Sequence, residues 1–156
     1  MALEIENSPA TIKHINARKE GHENDKELAV DLKLEIDAFA CDVLPYFDPT
    51  LRGHLFNHDA VRYPQMDVVK WQAEHVNMAM DLLGFEFIEV KLSKFEISPY
   101  IDKKGEDLND FTDFQKVRLT LSASFKPKGR EMATIAEMLG EETPISIRAR
   151  QQELPV

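Results

Sequence analysis

The stretch ELAVDLKLEIDA, residues 27–38, decides how this chain is read. Leu28, Val30, Leu32, Leu34 and Ile36 alternate strictly with Ala29, Asp31, Lys33, Glu35 and Asp37. A β-strand turns successive side chains to opposite faces, so this spacing predicts one dry face and one charged, wet face. A helix would scatter both sets around its circumference. The same period recurs in KVRLTLSASF, residues 116–125. There Val117, Leu119, Leu121, Ala123 and Phe125 face one way, and Lys116, Arg118, Thr120, Ser122 and Ser124 the other.

Working outward, residues 11–19 (TIKHINARK) read as a strand joined to the first by a polar hairpin turn containing Gly21 and Asn24. VVKW (68–71) is a short strand. HVNMAMDLL (75–83) alternates at Val76, Met78, Met80 and Leu82 and stops at Gly84, although its Met and Ala content also suits a helix. FEFIEVKLSKFEIS (85–98) changes phase: Ile88, Val90 and Leu92 share one parity, Phe95 and Ile97 the other. Burying both sets requires a bulge near Ser93–Lys94, and hence a bent strand. Pro144 opens a last strand, with Ile145, Ile147 and Ala149 on one side.

Two helical insertions interrupt the strands. Asp48-Pro49 is a helix-start pair followed by Leu51 and Leu55 one turn apart, and Pro45 suits the first turn of a separate short helix. In GREMATIAEMLG (129–140), Met132, Ile135, Ala136 and Leu139 form an apolar stripe and Gly140 a C-terminal stop. The expected fold is one mainly-β domain over residues 1–156: an antiparallel β-sandwich or curved sheet with short helical caps. The alternative is an α+β fold in which residues 72–83 are a helix.

The 156 residues are 43% hydrophobic and 30% charged, which excludes collagen-like and low-complexity chains. No apolar run approaches the ~20 residues that span a bilayer, so no membrane role is expected. The start, MALEIENSPA, has acids where a signal peptide has basic residues, and a lone cysteine forms no internal disulfide. Together these point to the cytoplasm. Charge is uneven: residues 1–114 carry 12 Lys and Arg against 23 Asp and Glu, residues 115–156 carry 7 against 5, and the net charge is −9. Such a surface repels phosphate backbones and suits a partner with a basic face; direct nucleic-acid binding is not expected.

Catalytic motifs are missing. There is no glycine-rich phosphate loop, no GxSxG and no CxxC, so neither an enzyme nor a bound cofactor is expected. Cys41, beside Phe39, Val43 and Leu44, reads as a small buried hydrophobe. His54 and His58, four apart with Asp59 following, are a weak zinc candidate without a neighbouring general base. The segment IDKKGEDLNDFTDF interleaves Asp102, Glu106, Asp107, Asp110 and Asp113 with Leu108, Phe111 and Phe114. Its acids do not follow an EF-hand order. Its aromatics either plug the end of the sheet or tip an acidic protrusion suited to a partner's basic groove. The basic cluster Lys116, Arg118, Lys126, Lys128 and Arg130 is either a face paired with neighbouring acids or a track for phosphates.

The succession of TIKHINARKEGHENDKELAVDLKLEIDAF, DVLPYFDPTLRGHLF, VVKW and KLSKFEISP resembles small proteins of unassigned role encoded by bacteriophages and integrated mobile elements. The likeness covers residues 11–126 and its motifs are structural, so it implies a phage accessory role and assigns no site residues. The reading that follows is a non-enzymatic acidic protein in the host cytoplasm. It would bind a protein partner with a basic surface, and so inhibit a nucleic-acid-handling or defence protein. The alternative is an accessory of phage DNA recombination or replication that touches single-stranded DNA through Lys116–Arg130. Edge strands leave room for a homodimer, discouraged by the charges of residues 11–19.

Overall fold

In the computed structural model, which describes residues 3–21, 26–65, 68–103 and 114–150, both alternating stretches are strands. The strands in chain order are β1 (Ile5–Glu20), β2 (Glu27–Phe39), β3 (Phe56–Asn57), β4 (Ala60–Val61), β5 (Val69–Trp71), β6 (His75–Leu82), β7 (Phe85–Ile101), β8 (Gln115–Phe125) and β9 (Glu142–Ala149). The helices are α1 (Ala40–Val43), α2 (Leu51–Leu55) and α3 (Gly129–Glu137), with a 3-10 turn at Leu44–Tyr46.

The expected curved sheet is the form adopted, and it curls far enough to meet itself. Neighbours run β7, β6, β9, β1, β2, β8, and β8 pairs back onto β7, with every pairing antiparallel. β5 continues β6 along the same edge of β7, and β3 and β4 form a separate small ribbon. Residues 72–83 are therefore not a helix. The inward faces make one apolar cluster to which all six ring strands contribute, with Leu32, Leu34, Ile36, Val117 and Leu119 fully buried. Such closure hides most backbone edges and dries one face of every strand.

Long strands curve this tightly only where residues are inserted into the ladder. Lys94 sits at φ 55° beside a register shift between Ser93 and Glu96, so Leu92 and Phe95 both point inward, as the phase change demanded. The ladder holds more insertions than the parity argument allowed. Glu89 at φ 56° adds a residue between Phe87 and Val90, turning Ile88 outward to 48% exposure. Asn77 at φ 55° does the same to Val76, which is 67% exposed while Met78 is buried. The inward positions expected for Ile88 and Val76 are thus corrected: each lies next to a bulge residue that advances the register by one.

The two helical insertions close opposite ends of the ring. α1 follows the end of β2, where Phe39 pairs with Lys116 at the start of β8; α3 follows the end of β8, where Phe125 pairs with Val30. At the first end, Pro45 starts the 3-10 turn and the Asp48 carboxylate accepts the Thr50 N–H at 2.7 Å just before α2. Val43, Leu44, Leu51 and Leu55 are buried there, and the Phe47 ring meets Phe95 and Trp71 edge-on at 5.2 and 5.9 Å. At the second end, the Glu131 carboxylate accepts the Lys128 N–H at 2.8 Å and α3 buries Ile135. The expected stripe is corrected: Met132 and Met138 flank Ile135, while Ala136 and Leu139 are exposed. α3 stops at Glu137, so Leu139 lies beyond it in a bridge to Ile12. Gly140, at φ 82°, donates its N–H to the Ile12 carbonyl at 2.8 Å. Among the described residues no helix is long and apolar enough to cross a membrane.

Candidate functional site

The outward face of β8 is where the basic cluster falls, and the neighbouring strands supply its counter-charges. Lys116 pairs with Asp102 at 3.3 Å, Arg118 with Asp37 at 3.5 Å and Glu35 at 3.9 Å, and Lys126 with Glu27 at 3.1 Å. The cross-strand register puts Glu35 and Asp37 of β2 opposite Thr120 and Arg118, which is why the Arg118 pairs form. Alternation also concealed an aromatic lining on this face. Lys116 lies over the Phe39 ring at 4.9 Å, and the Arg118 guanidinium over Tyr100 at 4.9 Å. Burial, with the Asp37 carboxylate beside it, pushes the Tyr100 hydroxyl up to about 12. Lys128 and Arg130 stand past the strand, at the start of α3.

The other candidate residues separate. α2 ends at Leu55, so His54 and His58 share no helical face; His58 sits in the turn between β3 and β4 at φ 53°. Asp59 binds Lys103 at 2.9 Å, and the buried Gln115 side chain donates to the His58 carbonyl at 2.6 Å. No cluster of His, Cys, Asp or Glu able to hold a metal occurs among the described residues. Cys41 is exposed, which corrects its expected burial: it is the second residue of α1, turned away from the core side held by Ala40 and Val43. Partial desolvation and the adjacent Asp42 push its thiol above the usual range, the reverse of a nucleophile's environment. Of the acidic segment, Glu106, Asp107, Asp110, Phe111 and Asp113 lie outside the described residues. Asp102 is partly buried, its N–H donating to the Phe114 carbonyl at 2.9 Å, and Phe114 is half-buried under Lys103.

A different acidic place emerges from the topology. β1 pairs with β2 only from Ala10 onward; residues 5–9 of β1 swing away to pair with β9. The β1–β9 ladder carries an insertion of its own between Ile5 and Ser8, with Asn7 at φ 44°. Residues 37–39 of β2 stay with β8 and face β1 across a gap. α1 closes one end of this seam. The result is a groove of about 840 Å³ lined by Glu4, Glu6, Pro9, Asp37, Phe39, Asp42, Tyr46 and Lys116 among others. Glu4, Glu6 and Asp42 are exposed and have no ion-pair partner among the described residues. Burial first, and then the carboxylates of Glu4 and Asp42, raise the Tyr46 hydroxyl above its ordinary value. Little in the local sequence marks this groove, because Glu4 and Glu6 lie far from Asp42 in the chain. The only local hint was Asn7-Ser8-Pro9, which fits poorly in the middle of a paired strand.

Comparisons of the chain with family models, with curated proteins and with solved structures gave no match.

Proposed function

We propose that this protein is a non-enzymatic binding protein that engages a basic surface on another protein, and that it is an accessory of phage or mobile-element origin that inhibits a nucleic-acid-handling or defence protein of its host. The observation that carries the binding reading is how charge is distributed. The β8 cations Lys116, Arg118 and Lys126 are each matched by a carboxylate, whereas Glu4, Glu6 and Asp42 face a groove with no ion-pair partner among the described residues. An unmatched acidic surface in a chain of net charge −9 attracts cations over distances set by ionic strength. The origin and the inhibitory role rest on the sequence resemblance alone. Immobilised protein should retain a basic protein from a bacterial lysate at low salt and release it as salt rises. Capture that ignores salt, or no capture, removes the reading.

A second reading, contact with single-stranded DNA through the Lys116–Arg130 face, draws on the Phe39 and Tyr100 rings beside those cations. The ion pairs weaken it, since phosphates would have to displace Asp102, Asp37 and Glu27. A mobility-shift titration at two salt concentrations separates the two, because direct phosphate contact predicts a steep salt slope.

A further inference from the structure

We infer that the seam between β1 and β2 receives an extended, Arg- or Lys-bearing segment of a protein partner, held by main-chain hydrogen bonds to the open strand edges and by the carboxylates around them. This rests on the binding reading above and names where and how the partner docks.

Three features converge on it. First, among the described residues the edges are unpaired: residues 5–9 on one side and 37–39 on the other pair with β9 and β8 on their far sides but not with each other. Strand edges that a fold leaves open are where extended peptides add. Second, the gap is a formed groove rather than a flat face, of a size usual for binding clefts, with α1 and Tyr46 closing one end. Third, its chemistry selects the occupant. Glu4, Glu6 and Asp42 supply negative charge that no described cation pairs with, and Phe39, 41% exposed, offers a ring face of the kind on which guanidinium groups stack. Lys116 already lies over Phe39, which shows that the ring accepts a cation there. An acidic segment would meet like charges on both walls. A purely apolar one would leave the carboxylates to be desolvated without compensation.

The test uses the full chain and a short synthetic peptide of alternating Arg and Val, measured by fluorescence anisotropy at low and at physiological salt. Three comparisons decide it. The double variant Glu6→Lys/Asp42→Lys should weaken binding at least about tenfold, since both residues are exposed and their replacement leaves the core intact. The double variant Glu137→Lys/Glu141→Lys, which changes net charge equally at the α3 end, should leave binding within about twofold, because salt screens distant charges. Methylating alternate backbone nitrogens of the peptide, which keeps every charge but removes main-chain donors, should also weaken it at least about tenfold. Equal binding by the methylated peptide, or equal loss in both double variants, overturns the strand-addition site. So does failure of the unmodified peptide to bind. If the salt-sensitive capture of a basic partner survives any of these results, the binding reading stands and only the seam falls; if capture fails too, both fall.

Discussion

Lys94 shows how much a single backbone conformation carries. It holds a left-handed φ of 55°, where a Cβ atom crowds the following carbonyl at a cost of about 1–2 kcal/mol, yet it must be there for Leu92 and Phe95 both to face inward. Its side chain is exposed, so substitution tests the backbone alone. Lys94→Gly should stabilise the protein by about 0.5–1 kcal/mol, and Lys94→Val should cost about 1–2 kcal/mol, read by urea unfolding. Equal stability of the two variants would mean that the bulge does not need its left-handed residue.

Tyr100 gives a second test at this scale. Its hydroxyl, raised to about 12 by burial and by Asp37, stays protonated in the fold while an unfolded chain ionises it near pH 10. Above the unfolded pKa the unfolded state is therefore favoured progressively, and the contribution of this group falls as pH rises from about 10 to 12. Tyr100→Phe should remove that part of the alkaline loss, leaving a shallower decline in Tm over the same interval. An unchanged slope would show that Tyr100 does not titrate as described.

Among the elements, α3 separates what pattern reading reaches from what it does not. The 3.6 period of GREMATIAEMLG and its terminal glycine mark the helix and its stop, but they do not show where the helix yields to the bridge with Ile12. That point is set by Gly140 binding the Ile12 carbonyl, a contact between distant parts of the chain. Ile135→Ala should cost about 2–4 kcal/mol because it empties a fully buried position. Leu139→Ala should cost under about 0.5 kcal/mol despite its place in the apparent stripe, since it is 52% exposed. A large loss at Leu139 would put the stripe back where the pattern drew it. The β6 and β7 strands teach the same lesson: parity identified Met78, Val90 and Phe95 as inward, and failed at Val76 and Ile88, beside the inserted Asn77 and Glu89, which simple alternation does not register.

For the molecule as a whole, closure of the ring predicts a gradient of stability. β2 is paired on both sides over residues 30–36, with β1 and with β8, and contributes the fully buried Val30, Leu32, Leu34 and Ile36 to the core. β5 pairs over three residues only, and β1 has no strand partner opposite β2 beyond Thr11 among the described residues. Amide exchange in residues 30–36 should require global unfolding, while Val69–Trp71 should exchange at least about tenfold faster through local opening. Uniform protection would argue against this hierarchy.

Spacing along the chain is enough to imply strands with one dry and one charged face, a bulge that bends β7 near Lys94, and short helices that cap the sheet. Those are local properties, written in spacing and in residues with restricted backbones. Contacts between distant parts of the chain set the rest: the sheet closes on itself, Arg118 and Lys126 of β8 meet acids of β2 while Lys116 meets Asp102 past β7, and β1 and β2 part to leave an acidic seam. Each of these depends on the register between strands distant in the chain, and register is settled by the summed packing of the whole core rather than by any segment's own pattern.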